Sequence, residues 1–241
     1  MSGRGATLGI IGGAGVGAAA RLYSDVAAAF RATNDRLPRI VLWNAPFSDA
    51  LEQAFVGGKP AGDEATAAEL LVGEAVERLL AAGATVIAMP CNSLQRAAAR
   101  EAARRGAPFI DMIDATLAGV RAGGHGAAVL LATEATRTAG IYDGLGVEIH
   151  DPPSGLREEL SALIGRVVAG RSRGAGTELR SLVERARRPS ATVVLGCTDI
   201  CGLIEEPAAG EAEVVDSLAC LTERCVAALT QDAPLSPALP S

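Results

Sequence analysis

A chain of 241 residues, 49% of them apolar, carries enough hydrophobic material for one large or two modest cores, which excludes an extended disordered protein. A net charge of -6 and an aromatic content of 3% exclude nucleic acid as a partner, because phosphate backbones reward clustered cations and single strands reward stacking rings. Five cysteines without CxxC pairing and two histidines argue against a disulfide framework or a metal centre, and Gly, Pro or charge interrupts every apolar run before it reaches membrane length, so a cytoplasmic protein is expected.

The first strand is expected at 7–11 (TLGII), followed by the glycine turn Gly12-Gly13-Ala14-Gly15 and a helix through Arg21, Tyr23 and Phe30. A glycine turn that opens a helix presents backbone N–H groups to an anion. A dinucleotide fingerprint would need an acidic residue closing the second strand. That strand, 39–44 (RIVLWN), closes instead in Asn44, whose amide suits a small polar ligand. A turn-rich loop at 57–62 holds Lys59, the chain's only lysine, read as solvent-facing with a lid role as the alternative. Asp63 or Thr66 caps the next helix, which Gly83 ends. Strands at 86–89 and 108–112 bracket a helix over 94–105, which completes four strand-helix alternations.

The alternation then begins again. Strand 126–133 leads to Thr136 and a helix reaching Tyr142; strand 147–150, a helix over 156–168, a helix through Leu179 and Val183, strand 192–195 and the short strand 214–216 follow. The fold class is α/β: two pseudo-symmetric parallel-sheet (flavodoxin-like) domains, with the site in the cleft between them. The expected boundaries are 1–113 plus 214–231 for the first domain and 114–213 for the second. The closing helix returns to the first domain, and 232–241 forms a disordered tail. Tyr23, Trp43 and Tyr142, with Cys201, Cys220 and Cys225, read as packing residues.

Two strand ends share one design. Val86-Ile87-Ala88-Met89-Pro90 ends in Cys91-Asn92-Ser93, and Val193-Val194-Leu195-Gly196 ends in Cys197-Thr198-Asp199. Ligands of parallel sheets bind beyond the carboxyl ends of the strands, where Asn44, Cys91, Thr133 and Cys197 all fall. Two thiols facing each other across a small molecule form a base and its matching acid. Removing the proton α to a carboxylate from one face and returning it to the other inverts that centre. Asn92, Ser93, Thr133 and Thr198, with the Gly12-Gly13 turn, are the candidate donors for the carboxylate. Taken singly, either cysteine also reads as a small buried hydrophobe.

These motifs resemble the cofactor-independent aspartate/glutamate racemases. The opening Leu8-Gly9-Ile10-Ile11-Gly12-Gly13-Ala14-Gly15, Cys91-Asn92-Ser93, Leu130-Leu131-Ala132-Thr133 with Thr136 and Tyr142, and Leu195-Gly196-Cys197-Thr198-Asp199 carry the likeness over nearly the whole chain. The resemblance implies two-base racemisation by Cys91 and Cys197 with neither pyridoxal phosphate nor metal, an amino-acid substrate, and a homodimer. Three departures bear on the substrate. The family's frequent histidine after the Asn is Gln95 here, an arginine beyond the second strand falls at Ala50 or Leu51, and a lysine late in a second-domain helix falls at Val168. The distal pocket then lacks both cations, and a neutral or modified amino acid stands as the alternative to an acidic one. The wider superfamily leaves maleate isomerase, hydantoin racemase and arylmalonate decarboxylase chemistry open, as well as a small-molecule-binding protein without turnover.

Overall fold

The computed structural model describes residues 5–56, 58, 62–204 and 214–230; Lys59 and the tail from 232 lie outside the described residues. Strand β1 (Thr7–Gly12) is buried along nearly its whole length, as a central parallel strand covered on both faces must be. Gly9 permits this, since a Cβ there would stand 2.8 Å from Ala84 and Ile87. Helix α1 (Val16–Thr33) starts after two left-handed glycines, Gly13 at φ 109° and Gly15 at φ 79°, and buries Leu22, Val26 and Phe30 at helical spacing. Strand β2 (Arg39–Asn44), helices α2 (Asp49–Val56) and α3 (Gly62–Ala81), and strand β3 (Val86–Ala88) follow. A single 3-10 turn (Asn92–Leu94), helix α4 (Gln95–Arg104), strand β4 (Phe109–Ile110) and helix α5 (Met112–Ala122) complete this half. The Asp111 carboxylate caps α5 by accepting from the Ile113 N–H at 2.7 Å.

The second half repeats the plan with strand β5 (Ala127–Leu131), helix α6 (Glu134–Thr138), strand β6 (Glu148–His150), helices α7 (Ser154–Val168) and α8 (Ala175–Ala186), and strands β7 (Ala191–Leu195) and β8 (Val214–Asp216). Helix α9 (Ser217–Thr230) closes the described chain and packs on α1 and α5. Both sheets are parallel and carry the same order, β2-β1-β3-β4 in one and β6-β5-β7-β8 in the other. The expected pair of parallel α/β layers is thus present, with pseudo-symmetry down to strand order. Among the described residues no helix is long and apolar enough to cross a membrane.

Three local expectations are corrected. The helix from Thr136 stops at Thr138, because Gly140 takes φ 55° and turns the chain, so Tyr142 arrives on a loop. Tyr23 and Trp43 are surface residues, 47% and 36% exposed, and the Arg78 guanidinium lies over the Trp43 ring at 5.5 Å. Cys220 is only partly buried, while Cys201 and Cys225 sit in the core as read.

Candidate active site

Strand β3 delivers its chain end through Met89 and Pro90 to Cys91, and β7 delivers its end through Gly196 to Cys197. Gly196 is required by close packing: a Cβ there would meet Leu130 Cδ1 at 2.6 Å. Both thiols line one cleft at the carboxyl ends of the two sheets, enclosing about 540 Å³ counted out to its mouth. The same relation to the chain recurs at each sulphur. The backbone N–H groups of Ser93 and Leu94 are aimed at Cys91, and those of Asp199 and Ile200 at Cys197. Each thiol therefore sits at the start of a turn whose backbone N–H groups lie beside its sulphur, although the Ile200 N–H also donates to the Cys197 carbonyl at 3.2 Å.

Burial nevertheless dominates the electrostatics. It pushes the Cys91 thiol up to about 12, with the carboxylates of Asp199 and Glu52 adding to the rise and the two N–H groups opposing it. Cys197 is raised well above its ordinary value, first by burial and then by the Asp199 charge, and charge on Cys91 raises it further. The two thiols are thus electrostatically coupled, and both rest protonated. Asp199 is itself raised, by burial and by the neighbouring Glu52 charge, while the Cys197 thiol opposes that rise by donating to its Oδ2 at 3.8 Å.

Neutral polar groups bridge the two halves around the thiols. Ser93 Oγ lies 3.2 Å from Thr133 Oγ1 and 2.9 Å from Thr136 Oγ1, and those two lie 3.0 Å apart, forming a triangle of hydroxyls. Thr198 donates to the Pro90 carbonyl at 3.0 Å. Asn92, 3% exposed, accepts from the Tyr142 hydroxyl at 2.6 Å through Oδ1 and donates to Ser217 Oγ at 3.3 Å through Nδ2. Burial raises the Tyr142 hydroxyl above its ordinary value, so it remains a donor. Gln95 lies behind the cleft, where its amide donates to Met89 O and Cys91 O at 2.6 and 3.0 Å and accepts from the Met112 N–H at 3.0 Å. It pins the loop that carries Cys91.

Cys91, Cys197, Asn92, Ser93, Thr133 and Thr198 all line this cleft. Gly12 and Gly13 stand behind it, with Ala14 and Gly15 supplying the lining from that loop, and Asn44 is exposed at the end of an edge strand away from the lining. Phe47, Glu52 and Phe55, from the segment around α2, also face the cleft, as does Val168 from the end of α7. Sequence reading did not single out Phe47, Glu52 or Phe55. Their neighbours in the chain offer no motif, and only the placement of α2 against α6 and α7 brings them in.

The comparisons with known proteins agree with this architecture. The family model for the Asp/Glu/Hydantoin racemases matches residues 11–225. Among solved structures, a candidate Asp/Glu racemase from Yersinia pestis is 23% identical with a TM-score of 0.78, the match covering 94% of this chain and 100% of that one. An aspartate racemase homologue from Pyrococcus horikoshii is 22% identical with a TM-score of 0.73, covering 93% and 99%. Arylmalonate decarboxylase is 17% identical with a TM-score of 0.55, covering 94% of each chain. Likenesses at these identities speak to the fold, whereas the family model spans most of the sequence. The chain belongs to the Asp/Glu/hydantoin racemase family.

Proposed function

We propose that this protein is an amino-acid racemase in which Cys91 and Cys197 act on opposite faces of the substrate α-carbon. The observation that carries the reading is the pair of thiols at equivalent strand ends of one cleft, each with two backbone N–H groups aimed at its sulphur. Fixed donors of that kind stabilise a thiolate only in the presence of further compensation, since burial holds both thiols neutral at rest. Two groups supply it. Asp199, which accepts a hydrogen bond from the Cys197 thiol at 3.8 Å, is the base that takes its proton once the substrate ammonium is in place. The substrate ammonium brings a positive charge into a site whose described ionisable lining, thiols apart, is carboxylate.

The cycle then balances. The Cys197 thiolate takes the α-proton, the electron pair moves into the substrate carboxylate and returns to the α-carbon as the Cys91 thiol gives its proton to the other face, and the Cys91 thiolate left behind regains a proton by way of solvent as Asp199 gives its own up on product release. The reverse direction exchanges the roles. The hydroxyls of Ser93, Thr133 and Thr136 are placed to donate to the carboxylate as its charge grows, which is where preorganised donors contribute most to rate. The test is α-proton exchange in D₂O, followed by proton NMR and chiral chromatography over a panel of amino acids. Exchange with inversion is expected, and Cys91→Ser or Cys197→Ser each reduces inversion by about a hundredfold or more. Activity that survives loss of either thiol refutes the two-base reading and favours single-thiol chemistry.

A further inference from the structure

We propose that the cleft selects α-amino acids with uncharged, apolar side chains, and that Glu52 is the residue that turns acidic side chains away. The proposal rests on the reading of the ligand as an α-amino acid and goes beyond it to the substrate class.

The glycine turn that opens α1 has the makings of an anion site, with N–H groups at a helix N-terminus. That site is already filled from within the chain. The Gly15 N–H donates to Glu52 Oε1 at 3.1 Å, and the Asp199 carboxylate crowds the same residue, so that a Cβ on Gly15 would stand 3.1 Å from its Oδ1. A ligand carboxylate brought to this end of the cleft meets two like charges where the helix would otherwise receive it. Among the described lining residues, moreover, none is Lys, Arg or His. One ligand carboxylate can be served by the hydroxyls of Ser93, Thr133 and Thr136; a second finds no counter-charge among the described lining residues and stands against Glu52 and Asp199 in a partly closed site, where repulsion is strong.

The rest of the wall shows what the side chain meets. Phe47 and Phe55 flank Glu52 along the chain, and Val168 comes to the same cleft from the end of α7. Three apolar side chains and no described cation reward burial of a hydrocarbon group, and they leave the carboxylates to pair with the α-ammonium that every amino acid carries.

The test is isothermal titration calorimetry of the full chain with leucine, methionine and phenylalanine against aspartate and glutamate, both enantiomers of each, on wild type and Glu52→Gln. The glutamine keeps an acceptor for the Gly15 N–H while removing the charge. The apolar ligands are expected to bind roughly tenfold or more tighter than the acidic ones in wild type, and Glu52→Gln is expected to narrow that ratio about threefold or more through a gain for the acidic ligands. Equal or tighter binding of aspartate or glutamate by wild type, or no binding of any apolar amino acid, overturns the proposal. A ratio unmoved by Glu52→Gln overturns the assignment to Glu52. Exchange in D₂O is measured on the same samples: apolar selectivity without exchange refutes the racemase reading and still supports this one.

Discussion

Raising the pH from 8 to 10 should destabilise this protein far more than a typical domain of its size. The ordinary thiol pKa of 9.0 is pushed to about 12 at Cys91 and Cys225 by burial, and Cys197 and Cys201 are raised well above it for the same reason. A thiol whose folded pKa is raised binds its proton more tightly in the native state. Its contribution is complete below pH 9 and is lost as the pH climbs from 9 toward 12, because the unfolded chain ionises first. Each such thiol costs on the order of 1 kcal/mol by pH 10, so together they cost several kcal/mol. Net stabilities of domains run about 5–15 kcal/mol, which makes this loss a large fraction of the whole. Cys220, raised to about 12, adds to it, and Tyr142 joins above pH 10. Urea unfolding with a non-thiol reductant at pH 8, 9 and 10 measures the fall. Cys225→Ala, which removes one buried thiol from the core, should lower stability at pH 8 yet shrink the loss between pH 8 and 10 by on the order of 1 kcal/mol. An unfolding free energy that stays flat over that range, or a loss unchanged in the variant, refutes the claim that these thiols rest protonated.

Tyr142→Phe removes the donor to Asn92 Oδ1 and leaves a buried acceptor unpaired, so unfolding should become easier by about 1–3 kcal/mol, read by the shift in urea midpoint. Gly13→Ala should prove more damaging. The residue sits at φ 109°, and a Cβ would stand 2.0 Å from the Ala45 carbonyl oxygen, so a loss of about 2 kcal/mol or more, or failure to fold, is expected in the same assay.

Strands were legible where two chemical signals coincided. Residues 39–44 are β-rich and bounded by Pro38 and by Ala45-Pro46, and β2 occupies those same positions. The cysteine ends were legible because a buried parallel strand must stop abruptly where polar residues open onto a helix. Helix α2 was not, although Ser48, whose Oγ accepts from the Leu51 N–H at 3.2 Å, and the acidic first turn are its start signal; eight residues are too few for an apolar period to confirm it. Asn44 shows the limit of reading by strand ends alone: it ends a strand as expected, but β2 is the edge of its sheet, so that end lies beside the cleft instead of over it. Glu52 was illegible for a different reason. Its significance comes from a backbone N–H 37 residues earlier in the chain, and no spacing rule encodes such a contact.

The contacts that join the halves at the cleft itself are of one chemical kind, and this bears on how a ligand is admitted. Ser93 with Thr133 and Thr136, and Thr198 with Pro90, are bonds between neutral groups at the cleft itself. Each contributes on the order of 1 kcal/mol, and opening one exposes no buried charge. Behind them, Tyr142, Asn92 and Ser217 form a buried chain, and Arg21 reaches from α1 to the Cys201 carbonyl at 2.8 Å. Breaking the Tyr142–Asn92–Ser217 chain strands buried polar atoms, at a cost of about 1–3 kcal/mol each. Ser93, Thr133, Thr136 and Thr198 line the cavity that a ligand enters, so their bonds are the ones a ligand can replace. A carboxylate that reaches the hydroxyl triangle replaces neutral bonds with charge-assisted ones, roughly twice as strong, so the ligand that parts the outer contacts also supplies their replacement.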